Sequence, residues 1–424
     1  MSKYLLTFVI GLLFLTTTIP YRIELGSFSI LLLEPVTLLL VAVVFFRDPL
    51  LSRSRHLLKN PLVYLVLLLV LWSILIFPLS DSLKRALSDI RDWLLPTLAF
   101  LALLSAKGPT WRNRVMIFLV ILLCNSFFGV YQYVTVTPGP LVSEKTVKRS
   151  PILNEDGTVY YTPFSAGFYP HPNGLGLYLC SGLMVLLGWA SEMRKRGKPY
   201  HLLWSIPVFL ALLWTFAKGS LLVTGVAIAI WALHLRIRST KRIISIISGV
   251  GLVVGSILFL TRDILPSIIM GTFWWRVGLW EIAFEMIRQH PTILLLGNGM
   301  GVYAANAYHA QPHNLYVFVL LAYGLVGLFL TLALIYDILR KGIMARLVGE
   351  IQSHPLLFGL WMALLNLFMI GTVETSWLSI ENRMLFLILL SLFIQYYQEL
   401  FPSGLSDMEA NVNEAGTLKR LSSI

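Results

Sequence analysis

A histidine and an asparagine, His313-Asn314, stand at the start of an apolar run, and nine residues later comes Gly324-Leu325-Val326-Gly327. Imidazole, with an ordinary pKa of about 6.5, accepts a proton at neutral pH. His313 is therefore a candidate base. The alternative is an interfacial or hydrogen-bonding histidine at a helix start. Arg276 and Arg288 open and close a stretch that contains Trp280 and runs into Gln289-His290-Pro291. Guanidinium matches phosphate oxygens in two-pronged geometry. The competing reading is an arginine at headgroup level, against lipid phosphates. Lys218 lies between two apolar runs in Phe216-Ala217-Lys218-Gly219-Ser220. Its ammonium either snorkels to the interface or binds an anion, with Gly219 permitting close backbone approach and Ser220 adding a donor. His171-Pro172-Asn173-Gly174-Leu175-Gly176 leads into another apolar run, where Pro and Gly shape the helix start and Asn173 is placed to cap it. Glu34, Glu374 and Glu381 are candidate proton or sugar-hydroxyl partners, or partners for intramembrane cations.

The elements that must carry these residues follow from composition. The chain has 424 residues, 57% hydrophobic and 13% charged, with a mean hydropathy of +0.77. Soluble domains run nearer 45–50% apolar and about 25% charged. That excludes a soluble enzyme, a disordered chain and a nucleic-acid-binding protein, and points to an all-α polytopic membrane protein. Twelve segments are long and apolar enough, or nearly so, to span: 4–20, 28–46, 61–79, 88–106, 115–135, 172–190, 201–217, 219–235, 243–261, 313–335, 354–372 and 383–398. The first reads as a retained span, since no small-x-small cleavage site follows it. With the N-terminus inside, every inner loop carries Lys or Arg, which accounts for a net charge of +12. Lys218 then falls on the outer side, at the tight hairpin between spans seven and eight. Cys124 and Cys180 both lie in apolar runs, so neither a disulfide nor a metal site is expected.

Two outer loops are long, about 136–171 and 262–312. The first contains Thr137-Pro138-Gly139-Pro140. The second is helical by periodicity, with Val277, Trp280, Phe284 and Ile287 on one face, and then reaches a flexible turn, Gly297-Asn298-Gly299-Met300-Gly301. That face is suited to the membrane surface or to packing on the bundle. Residues 81–94 repeat the pattern through Leu83, Leu87, Ile90 and Leu94. The domain plan is an integral membrane domain, 1–400, and a polar cytoplasmic tail, 401–424.

Under this topology Lys218, Arg276, Arg288 and His313 all share the outer face. Several cations around one base suit the binding of a diphosphate and the deprotonation of an acceptor hydroxyl. Without a paired-acid metal site in the sequence, a metal-independent reaction with no cofactor fits better.

At these residues the chain resembles the O-antigen ligase/polymerase superfamily, over about residues 160–335. His313-Asn314, nine residues and Gly324-Leu325-Val326-Gly327 match the family's His-[Asn/Ser/Gln]-x9-Gly-x-x-[Gly/Thr/Tyr] pattern. Arg276, Trp280, His290-Pro291 and Gly297-Asn298-Gly299 match its Arg-x-x-x-Trp, His-Pro and Gly-x-Gly series. Pro172-Asn173-Gly174-Leu175-Gly176 is similar to its Pro-Asn-x-x-Gly start of a span. One departure stands out. The family's Ser-Arg-Gly hairpin is here Ala217-Lys218-Gly219, which keeps the charge and loses the fork.

The resemblance implies a glycosyltransferase of the C type, in the bacterial cytoplasmic membrane, with both termini cytoplasmic and its active site on the outer face. Its donor would be a polyprenyl-diphosphate-linked glycan and its acceptor a lipid or another glycan. The reaction would invert the anomeric centre and release polyprenyl diphosphate. His313 would be the base or orient the acceptor hydroxyl, and Arg276 and Lys218 would hold the diphosphate. Arg288 is added from its position alone. Asn314, Gly219, Ser220, Trp280 and Asn173 are the supporting residues. Ligase stands slightly ahead of polymerase, and a polytopic transporter or flippase is third.

Overall fold

The computed structural model of the chain describes residues 3–19, 22–25, 28–47, 60–80, 83–106, 110–135, 152–153, 159–160, 165–169, 171–236, 267–299, 312–347, 353–374 and 379–402. Helices dominate. In chain order they are α1 (Lys3–Thr18), α2 (Leu33–Arg47), α3 (Pro61–Leu75), α4 (Leu83–Ser105), α5 (Trp111–Thr135), α6 (Pro172–Lys195), α7 (Ser205–Trp214), α8 (Lys218–Arg236), α9 (Ser267–Gln289), α10 (Pro291–Leu296), α11 (Leu315–Leu347), α12 (Pro355–Ile370) and α13 (Ile380–Leu400). Among the described residues α5, α6, α11 and α13 are long and apolar enough to cross a membrane, and six further apolar helices of 10–17 residues accompany them. The molecule is thus a helical membrane protein.

Every segment expected to span coincides with a helix except the ninth, 243–261, which lies outside the described residues. So do the Thr137–Pro140 stretch, Met300-Gly301 and most of the polar tail. Three boundaries differ from expectation, one of them the end of the tenth segment, where α11 continues past 335 to Leu347. Residues 28–31 form a strand that pairs antiparallel with 22–25, in the register Leu25 with Phe28, before α2 begins. Arg22 and Glu24 alternate with apolar residues there, a period-two pattern that suits a hairpin and not a span. The seventh segment starts as a tight 3₁₀ turn, Pro199–Trp204, before α7.

The two apolar stripes divide between exposed and packed positions. On α4 it is Leu83, Leu87 and Leu94 that are exposed, while Ala86, Asp89, Asp92 and Trp93 are buried. On α9 Phe284 is exposed, and Leu279 and Ala283 are buried with Met286 and Ile287 packed on the core. Where lipid can cover one side of a helix, apolar residues occupy both sides. The packed side is then marked by small and polar residues.

The centre of the bundle is α12 against α6. A Cβ on Gly188 would lie 2.8 Å from Pro355 O and 3.1 Å from Gly359 Cα. Small residues let the two backbones touch, which suits association in lipid.

A second close approach positions the site. α11 is broken at Gly324, whose backbone (φ 66°, ψ −168°) only glycine adopts readily. Gly297, just past α10, has nearly the same conformation (φ 82°, ψ 177°). The two lie back to back: a Cβ on Gly324 would meet Gly297 N at 2.6 Å, and one on Gly297 would meet Tyr323 Cα at 2.7 Å. The break leaves carbonyls without helical partners. Asn298 N donates to Leu321 O (3.0 Å), Gly299 N to Ala322 O (2.9 Å) and Trp72 Nε1 to Tyr323 O (2.7 Å). Residues 297–299, expected as a flexible turn, are therefore docked on the helix.

Behind the break sits a buried ionic cluster absent from the sequence reading. Arg383 Nη2 meets Asp89 Oδ1 at 2.7 Å, and the Tyr323 hydroxyl donates to the same carboxylate at 2.8–2.9 Å. Trp93 Nε1 donates to that hydroxyl (2.9 Å), and the guanidinium lies 4.5 Å from the Trp93 ring. Each buried charge thus has a partner, as a low-dielectric interior requires.

Two substitutions test these supports by thermal unfolding of the purified protein. Gly324→Ala should destabilise by at least about 1–3 kcal/mol from the backbone conformation alone. Arg383→Met, which leaves Asp89 buried without its cation, should cost about 3–5 kcal/mol.

Candidate active site

The starts of α6, α8 and α11, the middle of α9 and one turn meet at one end of the bundle; α9 begins at Ser267, so Arg276 lies inside that helix and does not open it. The turn follows α12 and is closed by Val373 N and Glu374 N donating to Ile370 O at 2.9 and 2.8 Å. It is stitched to the start of α11. Leu315 N donates to Gly371 O (2.6 Å), and Asn314 Nδ2 to Thr372 O (2.9 Å). Asn314 also caps α11, its Oδ1 accepting from Tyr316 N (2.9 Å) and Val317 N (3.1 Å). One residue earlier, His313 takes a left-handed backbone, φ 44°. That conformation is uncommon outside glycine, and the cap and the stitch after it hold it in place.

Glu374 then joins three elements. One carboxylate oxygen, Oε2, lies 2.9 Å from His313 Nδ1. The other, Oε1, accepts from Arg276 Nη2 of α9 at 2.8 Å and from Asn173 Nδ2 of α6 at 3.2 Å. Trp280, one turn beyond Arg276, donates Nε1 to Pro312 O (2.7 Å) and ties α9 to the residue before His313. The Trp275 ring stands 5.3 Å from the imidazole. Arg276 Nε is buried and has no hydrogen-bond acceptor among the described residues, so this fork is only partly used.

The remaining predicted residues are placed as follows. Lys218 opens α8 and is exposed. Its neighbour Gly219 lies against the same turn, where an added Cβ would stand 2.7 Å from Val373 Cγ2, one residue from Glu374. Ser220 is buried against Gly176 of α6, so its hydroxyl does not serve as the expected anion donor; a Cβ on Gly176 would be 3.0 Å from Ser220 Oγ. His171, not Asn173, caps α6: its Nδ1 accepts from Asn173 N at 3.2 Å, which frees the Asn173 amide for Glu374. Partial burial lowers the pKa of His171, the charge of Glu374 opposes that, and His313 adds to it.

Arg288 is not brought to the cluster. Nε and Nη2 both bond Glu285 in its own helix at 2.8 Å, and the side chain is exposed. Twelve residues separate it from Arg276 on α9, about 18 Å at 1.5 Å per residue. Glu34 is also elsewhere, accepting from Leu31 N (3.2 Å) and lying 3.5 Å from Arg91. Glu381 is in the first turn of α13.

The arrangement offers an imidazole with a carboxylate behind it and a guanidinium with an unmet donor, and the helix that begins with the exposed Lys218 starts against the same turn. It can take up an anion and relieve a hydroxyl of its proton. No protein-family model and no curated protein matches the chain.

Asn314→Ala removes the cap and one stitch. Loss of the cap costs about 1 kcal/mol, so the melting temperature should fall while the protein still inserts and purifies. An unchanged melting temperature would contradict the holding role given to Asn314.

Proposed function

We propose that this protein is a membrane glycosyltransferase of the O-antigen ligase/polymerase superfamily. It moves a glycan from a polyprenyl-diphosphate donor to an acceptor hydroxyl on the outer side of the bacterial cytoplasmic membrane. The chain crosses twelve times with both termini inside, a topology supported by basic residues in each inner loop. The single observation that carries the reading is Arg276. Its guanidinium shares Glu374 with His313, yet its Nε is buried and lacks an acceptor among the described residues. A buried unmet donor costs about 1–3 kcal/mol, and an entering anion removes that cost.

In the proposed reaction the diphosphate lies between Arg276 and Lys218. His313 takes the acceptor proton as the acceptor oxygen bonds the anomeric carbon from the face opposite the diphosphate. The carbon–oxygen bond to the diphosphate breaks with inversion, and the leaving charge is met by the two cations. Fixed charges aimed at a developing anion supply a large share of such a barrier. We place ligase ahead of polymerase because the His313-Asn314 pattern fits ligases well. The two share donor chemistry and differ in acceptor.

Purified protein given polyprenyl-diphosphate glycan should form product. Product only with a different acceptor assigns a ligase, and elongated glycan from donor alone a polymerase. His313→Ala should lower transfer about 10²–10⁴-fold, the range of base catalysis, with insertion unchanged. Lys218→Arg should keep most activity and Lys218→Ala little; equal rates in all three forms would remove Lys218 from the mechanism. Cysteine introduced at 218, 276 or 313 should react with impermeant reagent from the outer side only.

A further inference from the structure

We propose that Glu374 is the positioning residue of this site: its carboxylate takes the Nδ1 hydrogen of His313, which leaves Nε2 as the atom that accepts the proton. This rests on the reading of His313 as the base.

A neutral imidazole carries one hydrogen, and the hydrogen bond made at one nitrogen decides which nitrogen holds it. A carboxylate only accepts. At 2.9 Å from Glu374 Oε2, His313 Nδ1 must be the donor. Nε2 then keeps its lone pair, and among the described residues it has no hydrogen-bond partner.

The pairing is built in from both sides. Glu374 N donates to Ile370 O at 2.8 Å, which sets the turn. Asn314 and Leu315, the residues after His313, bond Thr372 O and Gly371 O of that same turn. The backbones of base and carboxylate therefore move as one unit. Arg276 and Asn173 hold Oε1 from the other side, so the carboxylate cannot swing away from the ring without breaking two further bonds.

The proton balance is simple. The acceptor hydroxyl gives its proton to Nε2, and its oxygen forms the new bond to the anomeric carbon. The electron pair of the old bond leaves on the diphosphate. His313 becomes imidazolium with Nδ1–H still on Glu374, where the carboxylate stabilises the new charge, and Nε2 later returns its proton to water. Glu374 touches neither substrate in this scheme and acts through His313.

The test is the tautomer of His313, read from ring ¹⁵N signals of histidine-labelled protein in lipid nanodiscs at alkaline pH, with His313→Asn identifying the signals. Wild-type protein should show the Nδ1–H form, a measurement that needs no substrate. Glu374→Ala should shift the ring toward the Nε2–H form preferred by free imidazole and lower transfer at least about 10²-fold. Glu374→Asp, which keeps the charge, should restore part of both. An Nε2–H ring in wild type overturns the proposal, as do unchanged ring signals in a folded Glu374→Ala protein. If the ring behaves as expected and no glycan transfer is found with any acceptor, the positioning stands and the reading of the reaction falls.

Discussion

Within a membrane every backbone donor and acceptor must find a partner inside the protein. An interrupted helix is tolerated only where other protein groups take up the freed carbonyls. Gly324 breaks α11, and the carbonyls of Leu321, Ala322 and Tyr323 are met by Asn298, Gly299 and Trp72. This repair ties the stretch after α10 to the bundle. Since α10 follows α9 across only His290, it also fixes where α9 ends. The other tie on α9 is Trp280 to Pro312, next to His313. Arg276 lies one turn before the first of these two anchors, and both anchors dock on the segments that bracket the first part of α11. The spacing from His313 to Gly324 records that geometry: a capped start, a short helical run, and a break that receives the neighbouring loop.

The electrostatics follow from one carboxylate. Glu374 is shared by an arginine, an asparagine and a histidine from three separate elements. Shared in this way, it gives each element the same point of reference, and one acidic side chain aligns groups 98 and 61 residues away in sequence. The ionic cluster of Asp89 and Arg383 does comparable work deeper in the bundle. There the Tyr323 hydroxyl bridges to the residue before Gly324, so the break is held by side chains as well as backbone.

Much of this was legible in the sequence. The His-Asn pair, the two glycine motifs and Arg276 with Trp280 each carry a local signature, and each has a mechanical explanation in the fold. Asn314 is a cap, Gly297 and Gly324 occupy glycine-only backbone, and Trp280 is a tether. What was not legible depends on partners far apart along the chain. Glu374 could be seen only as an acid beside an outer turn, since nothing local marks it as a joint. Asp89 and Arg383 are separated by 294 residues, and an apolar window simply averages over each of them. Arg288 was drawn in by its position at the end of a helical run, but helical rise carries it away from the site and Glu285 occupies it. The stripes on α4 and α9 left two readings open for a different reason. Apolar periodicity reports contact with something other than water, and here lipid competes with the core for that role.

The lysine at 218 fits this division of charge. Arg276 already has its orientation, imposed by Glu374 and the Trp280 tether, so in the proposed reaction the fork that would align a diphosphate is supplied once. Among the described residues Lys218 has no ion-pair partner, and it is exposed at the start of α8, where the positive end of the helix dipole adds to its charge. A second cation in the proposed reaction has to contribute charge and reach, not geometry. An ammonium on a flexible four-carbon stem does both. Gly219 sits directly on Val373, so the turn that carries Glu374 also sets where that stem begins. In the proposed reaction, a lysine where the family that the chain resembles carries arginine would cost the site a second fork and would keep the charge that meets the leaving group.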